Sequence, residues 1–406
     1  QARLKNSCSQ FDNKKRDTHA LGVVRRRAER RRGRTGNEMV KILFTADLHI
    51  GFQDNVFPES GDIRALTFRK IAALAREHDI VLIAGDLFHF PDPGKELIDL
   101  VGVEFAAIRD AGVEIVFTPG EHDLTDANTL PEAIESMRFS RVFRDSSGAP
   151  FVFEKNGQTL HVYGLPPVAA SGIDSIRGSG AEGFHIGLFH AEVNLRDEQP
   201  GGRVPVLRKR DLRDMGLDFY ALGHHHNYKI YKNQDLVIGA YPGTPESTSF
   251  DEHGERYVLS LTVEDNRLSQ IRRLLINSRN VVDMEFDCTG VTSPDDVLAI
   301  AAEHRAAGSV ARITLRGERS FAIDTTAPEG AGEGFVLFDD QTIPSFGLLA
   351  SGLAGEDSLR GEFFALFAEK LAANAIPADA PREILSVAIR QIGLEGRCDP
   401  EEWQCG

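Results

Sequence analysis

Cysteine is scarce in this sequence: Cys8, Cys288, Cys398 and Cys405 are the only four in 406 residues. They form no CxxC pair and sit near no histidine at zinc-like spacing, which removes a thiolate metal site and leaves reduced thiols of a cytosolic, cytoplasmic protein as the expectation. Long apolar runs are missing too. No stretch approaches the roughly 18 residues that a membrane span requires, so no membrane crossing is expected. Positive charge is also in deficit, with 46 Lys and Arg against 61 Asp and Glu for a net charge of −15. What cationic charge there is concentrates at the start, where residues 1–38 carry 12 Lys or Arg against 4 Asp or Glu. Removing that +8 leaves −23 for residues 39–406. A strongly acidic body is a poor match for nucleic acid unless local cationic surface or a partner provides the contacts. No internal repeat is present.

The first 38 residues, with "VVRRRAERRRGRTG" near their end, lack the apolar patterning of a fold. Three readings compete for them: a nucleic-acid-binding arm, an Arg-rich targeting peptide, or translated sequence upstream of a start at Met39. The third is the expectation, because Met39 immediately precedes the first core strand and no apolar stretch resembles a secretory signal. A disordered basic leader, not native to the protein, is thus expected over 1–38.

From Val40 onward, short β-rich runs alternate with helical ones. "VKILFTA", a helix near Ile63 to Glu77, "DIVLIA", a helix near Lys95 to Asp110, and "VEIVFT" give strand, helix, strand, helix, strand. Runs such as "IVLIA" are apolar on both faces, as in a sheet between two layers. Further strands are expected at "HVYGL", "HIGLF", "DFYAL" and "LVIGAY", followed by a hairpin turning near Glu264 to Asn266, so the sheet is mixed. The polar "NSRNV" reads as a linker. After it, "VDMEF", a helix near Pro294 to Ala307 and "ARITLRG" make a small strand-helix-strand unit. A Gly-rich stretch over 326–334 and two amphipathic helices, near Leu359 to Asn374 and Pro381 to Ile392, complete the chain.

The first strands share one feature: each apolar run ends in acidic or imidazole side chains. "FTADLHIG" gives Asp47 and His49, "LIAGDLFHF" gives Asp86 and His89, and "FTPGEHD" gives Glu121, His122 and Asp123. Later, "GLFHAEV" gives His190 and "ALGHHHNY" gives His224, His225 and His226. In an open α/β sheet the carboxyl ends of strands line one edge, where ligands bind. Mixed carboxylate and imidazole donors suit Mn²⁺, Fe²⁺ or Zn²⁺, and one Asp can bridge two ions about 3.5 to 4 Å apart that activate water and clamp phosphate. The i, i+2 spacing of Asp47 with His49 and of His224 with His226 puts each pair on one side of an extended segment, with His225 pointing away. Any one of these tokens alone is more often an exposed turn; their order, each behind its own strand, carries the reading. His161, His185, His253 and His304 lack such partners and read as structural or surface residues.

The ordered set DLH, GDLF, GxHD, an isolated His after a strand, and GHxH resembles the calcineurin-like metallophosphoesterases, and most of all the SbcD-type exonucleases of double-strand-break repair. "GDLFH", "DFYALGHHH" and "YPGTPESTSFDE" (Tyr241 to Glu252) are similar to longer blocks of that family. The resemblance implies a mixed-sheet αββα sandwich of α/β class over 39–277, a small α+β DNA-capping domain over 282–325, and a C-terminal helical segment over 335–396 that binds a partner. It implies two divalent ions, with Mn²⁺ expected: one held by Asp47, His49, Asp86 and His226, the other by Asp86, Glu121, His190 and His224. His122 would stabilise charge on the phosphate or protonate the leaving oxygen, Asp123 would orient it, and His89 would present DNA. DNA and an SbcC-like SMC-family ATPase are the implied partners, with homodimerisation a further family expectation.

One position departs from the pattern. Residue 121 is typically Asn in the family and here is Glu, which is anionic when ionised and only accepts hydrogen bonds. Two alternatives therefore stand beside the nuclease: a phosphodiesterase with a small substrate, and a catalytically weakened scaffold subunit. The tail helices, with Phe363, Phe364, Phe367 and Leu371, suit packing within the chain as well as a partner's coiled coil.

Overall fold

The computed structural model describes residues 39–53, 60–144, 147–166, 173, 176–195, 204–323, 334–345, 348, 358–373 and 375. The basic leader, Cys8, Cys398, Cys405, nearly all of the Gly-rich stretch and the expected helix at Pro381 to Ile392 lie outside these residues. The chain divides into two compact units, one ending at Val282 and one beginning at Asp283.

The first unit is built on two six-stranded sheets. In the first, β1 (Met39–Thr45), β2 (Ile80–Ala84), β3 (Glu114–Thr118) and β4 (Arg141–Val142) run parallel, and the hairpin of β13 (Tyr257–Glu264) and β14 (Arg267–Leu275) adds antiparallel to β1, giving the order β14-β13-β1-β2-β3-β4. The second sheet contains β5 (Phe151–Lys155), β6 (Gln158–Leu165), β7 (Phe184–His190), β10 (Phe219–Gly223), β11 (Lys229–Asn233) and β12 (Leu236–Tyr241) in the order β11-β12-β10-β7-β6-β5, with β6, β7, β10 and β12 parallel and the two edge strands antiparallel. A small parallel pair, β8 (Glu192–Asn194) with β9 (Val206–Arg208), lies between β7 and β10 in sequence.

Alternation of side chains along each strand explains why the sheets stack. Ile42, Phe44, Leu82 and Val116 of the first sheet and Val162, Ile186, Leu188 and Phe219 of the second belong to one buried cluster. The opposite faces of β1 to β3, including Leu43, Val81, Ile83, Ile115 and Phe117, pack on helices α1 (Ser60–Ala75) and α2 (Lys95–Asp110). Helix α2 buries Val101, Phe105 and Ile108, one stripe at helical spacing. The outer face of the second sheet, with Tyr163, Phe189, Tyr220, Leu222 and Tyr241, is covered by Leu207 and Met215 from the segment that holds the short helix Lys209–Asp214. Each fully buried large apolar side chain contributes roughly 1.5–3 kcal/mol, so this layering fixes the strand ends that carry the polar residues.

In the second unit the order β15-β16-β18 joins β15 (Val281–Asp287), β16 (Val310–Arg316) and β18 (Phe335–Asp340), with β16 and β18 parallel and the helix Asp295–Ala306 between the first two in sequence. A short pair joins β17 (Glu318–Arg319) to β19 (Ile343–Pro344). The sheet therefore continues past residue 325 into the stretch expected to be helical tail: "FVLFDD" is too short for its period to separate strand from helix, and its ladder with β16 decides. The helix Leu359–Ala372 is present, and Phe364 and Phe367 on it are buried. Among the described residues no helix is long and apolar enough to cross a membrane.

Candidate metal centre

The polar residues following β1, β2, β3, β7 and β10 all leave the carboxyl ends of parallel strands, and the structure brings them together. The segments 47–50 and 85–88 are tied by backbone hydrogen bonds from Asp47 to Gly85, His49 to Asp86 and Ile50 to Leu87, at 2.9–3.0 Å. Asp86 Oδ1 accepts the backbone N–H of His122 at 3.0 Å, and Asp47 Oδ1 accepts that of His224 at 2.9 Å. The loops thus position one another through the carboxylates themselves.

This convergence requires unusual backbone. Asp47, His49, Asp86 and His224 have φ of 52°, 45°, 51° and 102°, in the left-handed region that side chains other than Gly seldom adopt. Such strain persists where surrounding structure over-determines it, as at functional sites. Gly85, at φ 83°, has no room for a side chain, since a Cβ there would sit 2.2 Å from His190 Nδ1. At Gly120 a Cβ would lie 2.1 Å from Asp86 Oδ1. Buried Arg64 of α1 holds the strained turn from beneath: its guanidinium donates to the carbonyl of Leu48 at 2.8 Å and to those of Glu246 and Ser247 at 2.9 and 3.0 Å.

The donor atoms form two overlapping groups around Asp86. On one side, His49 Nε2 lies 3.0 Å from His226 Nε2 and 3.6 Å from Asp86 Oδ2, and Asp47, His49 and His226 offer ligand atoms within 4.8 Å of one another. On the other side, Glu121, His190 and His224 do the same: Glu121 Oε1 is 3.1 Å from His224 Nδ1, Glu121 Oε2 is 2.6 Å from His190 Nε2, and His190 Nε2 is 3.5 Å from Asp86 Oδ2. Asp47, Asp86 and His190 make a third such triplet that joins the two.

The tautomers suit ligation. His190 Nδ1 faces the carbonyl of Ala84 at 2.9 Å and must donate to it, which leaves the Nε2 lone pair aimed into the centre. His226 Nδ1 likewise donates to Glu252 Oε1 at 2.6 Å, and its Nε2 faces His49. Several atoms aimed inward lack a hydrogen-bond partner: Asp47 Oδ2, Glu121 Oε2 and His190 Nε2. The last two are close without being aligned as donor and acceptor, the arrangement expected of two ligands directed at a common ion. Three carboxylates and four imidazoles, buried or half-buried, suit one or two borderline divalent cations.

Electrostatics without the ions are costly. Burial, partly offset by His190 and His226, pushes the Asp47 carboxyl up to about 6, and burial with neighbouring Asp86 pushes Asp123 up to about 7. Burial also raises Asp86 and holds His49 well below its ordinary value, in the latter case with His226 and Arg64 adding to the effect. Glu121 moves the other way: burial would raise it, but the His190 and His224 imidazoles beside its carboxylate hold it far below the usual carboxylate range. Bound cations would relieve the crowding of carboxylates.

His122 and His89 stand beside these groups. Their rings stack at 5.0 Å, and His122 packs edge-on to His49 at 4.9 Å. His122 Nδ1 donates to the carbonyl of His89 at 3.0 Å, so Nε2 is the nitrogen left for chemistry. The expectation for Asp123 needs correction: its carboxylate accepts the backbone N–H groups of Phe88 and Gly120, at 3.0 and 2.9 Å, and therefore holds the loop, while the carbonyl of His89 orients the His122 ring. His225 turns away and packs edge-on to Tyr241 at 4.8 Å. His161 and His185 stack on each other at 4.6 Å and bond the carbonyls of Glu182 and Ala181, outside the donor groups. His253 bonds the carbonyl of Phe250, and His304 belongs to the helix Asp295–Ala306 of the second unit.

Sequence reasoning missed Glu252 and Arg64. Glu252 lies in "YPGTPESTSFDE", where its carboxylate also accepts from Thr248, and an acidic residue near the end of that block was the only available signal. Arg64 is one cation on an amphipathic helix, and its burial leaves no mark in the sequence.

Comparison with known proteins agrees with this geometry. The family model for calcineurin-like phosphoesterases matches residues 40–228. The chain is 26% identical over 243 residues to the uncharacterized metallophosphoesterase YhaO of Bacillus subtilis, covering 55% of this chain and 58% of that protein. It is 26% identical over 294 residues to the DNA double-strand break repair protein Mre11 of Haloferax volcanii (69% and 62%), and 23% identical over 281 residues to the D component of the nuclease SbcCD of Escherichia coli (58% and 68%). The chain thus spans little more than half the length of the first of these relatives. Residues 40–228, with their donor groups at the strand ends, thus match the calcineurin-like phosphoesterase family.

Proposed function

We propose that this protein is a Mn²⁺-dependent nuclease that hydrolyses phosphodiester bonds at DNA ends, working in the cytoplasm with an SbcC-like SMC-family ATPase. The observation that carries the reading is Asp86, flanked by Asp47, His49 and His226 on one side and by Glu121, His190 and His224 on the other. Its support from comparison is the named functions of the relatives in break repair and nuclease complexes. When bound, two divalent ions at such a centre activate water and neutralise the phosphate.

The chain's own groups supply the rest. His122 offers Nε2 to hold or deliver a proton at the leaving oxygen, because its Nδ1 is committed to a carbonyl. His89 stacks behind it and limits the angles from which a phosphate enters. On this reading the unit from Asp283 onward contributes the capping domain, and the helix Leu359–Ala372 with the residues that follow meets the ATPase. Because Phe364 and Phe367 are buried, that contact relies on other positions, with the exposed Leu366 a candidate. Homodimerisation remains part of the family expectation.

The test is hydrolysis by the purified protein with Mn²⁺ on labelled linear DNA and on a chromogenic phosphodiester, alone and with its ATPase. Activity on both, lost in Asp86→Ala, is the expected result. Hydrolysis of the chromogenic compound alone, even with the ATPase present, would mean a small natural substrate, and inactivity toward both would leave the scaffold role.

A further inference from the structure

Two of the imidazoles aimed into the centre have a carbonyl or a carboxylate behind them: Ala84 for His190 and Glu252 for His226. His49 is held differently. Its Nε2 faces His226 Nε2 at 3.0 Å and Asp86 Oδ2 at 3.6 Å, while its Nδ1 lies 3.2 Å from Nδ1 of His89. The backbone fixes this approach. The N–H of His49 donates to the Asp86 carbonyl at 2.9 Å, that of Ile50 to the Leu87 carbonyl at 3.0 Å, and that of His89 back to the Ile50 carbonyl at 3.0 Å. The two segments are thus laced in parallel, with Ile50 opposite Phe88.

A neutral imidazole has one donor and one acceptor nitrogen. For His49 to present an Nε2 lone pair to a cation, its proton must sit on Nδ1, and in so buried a residue that N–H needs an acceptor. His89 Nδ1 is in place to accept it, which leaves the proton of His89 on Nε2. Neighbouring rings hold His89 in this orientation: Phe52 and Phe90 meet it edge-on at 5.0 and 4.5 Å between centres, and His122 stacks on it at 5.0 Å. His49, His89 and His122 also bring donor atoms within 4.8 Å of one another. Ring orientation disfavours a third cation there, because the His89 and His122 planes are only 18° apart and their in-plane lone pairs run side by side instead of converging.

We propose that His89 is a positioning residue for the cation beside Asp47, His49 and His226: its Nδ1 accepts the His49 Nδ1–H and so holds His49 as an Nε2 ligand. The proposal rests on the two-cation part of the reading above and gives His89 a task that is complete before any substrate arrives. An acceptor behind a metal-binding imidazole contributes roughly 10- to 100-fold in affinity. His89 is neutral where Glu252 is anionic, so its share belongs at the lower end of that range. The plainer role for His89 is packing within a cluster of rings. Packing needs a flat ring and no acceptor nitrogen.

The test is calorimetric titration of Mn²⁺ into the full-length, metal-free protein, comparing His89→Phe with His89→Asn. Phe keeps the ring and loses the acceptor; Asn loses the ring and keeps an oxygen near the position of Nδ1. In both variants the carbonyl of residue 89 remains for His122. His89→Phe is expected to weaken one of the two Mn²⁺ sites about tenfold and leave the other unchanged, and His89→Asn to recover most of that affinity. A packing role gives the reverse order, and that order, or equal affinity in all three proteins, would overturn the proposal. Should His89→Phe not fold, His89→Leu, which also lacks an acceptor, replaces it. A second readout uses the Zn²⁺-loaded protein labelled with ¹⁵N-histidine. The His49 Nδ1–H signal, assigned by its loss in His49→Gln, should exchange slowly with water in the native and Asn forms and rapidly in the Phe form; rapid exchange in the native protein would also overturn the proposal. Failure of the native protein to bind Mn²⁺ would overturn the centre itself, whereas binding with the packing order overturns the His89 role alone.

Discussion

Glu121 is the residue at which the sequence departs from the family pattern, and its surroundings give that departure a physical meaning. Its carboxylate oxygens reach His190 and His224, so on the proposed metal-centre reading it would be a ligand carrying an extra negative charge. An anionic ligand tightens cation binding and reduces the cation's pull on phosphate. Glu121→Asn is therefore expected to bind Mn²⁺ more weakly in calorimetric titration and to turn over a phosphodiester at an equal or higher saturated rate; complete loss of turnover would show that the carboxylate is essential. Asp47 provides a pH dependence. Burial raises its carboxyl to about 6, and the ion takes only the carboxylate, so affinity is fully developed above pH 6 and falls as pH drops through that value. For one coupled proton at that value the decline is roughly fivefold from pH 6 to pH 5 and roughly tenfold from pH 7 to pH 5, measurable by the same titration; affinity that did not change between pH 7 and 5 would contradict this assignment. Arg64 holds the strained turn by three carbonyls. Arg64→Met strands these buried acceptors at about 1–3 kcal/mol each, so the melting temperature should fall markedly and Mn²⁺ affinity with it.

At the level of elements, the strands that carry the site were legible because they are apolar on both faces and end abruptly in polar residues. β1, β2 and β3, the helices between them and the β13–β14 hairpin all follow from that pattern. β5, β8, β9 and β11 do not. "FVFEK" and "KIYKN" are short edge strands half-exposed to solvent, so no continuous apolar run marks them, and the three-residue β8 and β9 offer too few positions for any period. The convergence of the candidate residues was legible, since imidazole and carboxylate groups recur behind five separate strands and the structure brings their donor atoms together. Which carboxylate supports which ring was not, because Asp123 and Glu252 act through contacts set by loop geometry. Two glycines give a test of that geometry. Gly85 and Gly94 share φ 83°, but a Cβ at Gly94 meets nothing within 4 Å while one at Gly85 strikes His190. Gly94→Ala should cost only the backbone strain, about 1 kcal/mol, and Gly85→Ala should in addition abolish or severely weaken Mn²⁺ binding. Equal metal affinity in the two variants would mean that the close approach of segment 85 to His190 is unimportant.

For the whole molecule, two stacked sheets serve as a frame that delivers five strand ends to one edge, and the polar residues there are strained, crowded and short of partners in a way that a purely structural cluster would not tolerate. The net charge of −15 favours cations at that edge and disfavours polyanions elsewhere, which restricts where a nucleic acid can approach. The central claim is that Asp86 lies between two cation positions. The most direct measurement is anomalous scattering from crystals of the protein soaked in Mn²⁺. The account predicts two peaks about 3.5–4 Å apart on either side of the Asp86 carboxylate, one near Asp47, His49 and His226 and the other near Glu121, His190 and His224. A single peak remote from Asp86, or none at saturating Mn²⁺, would contradict it.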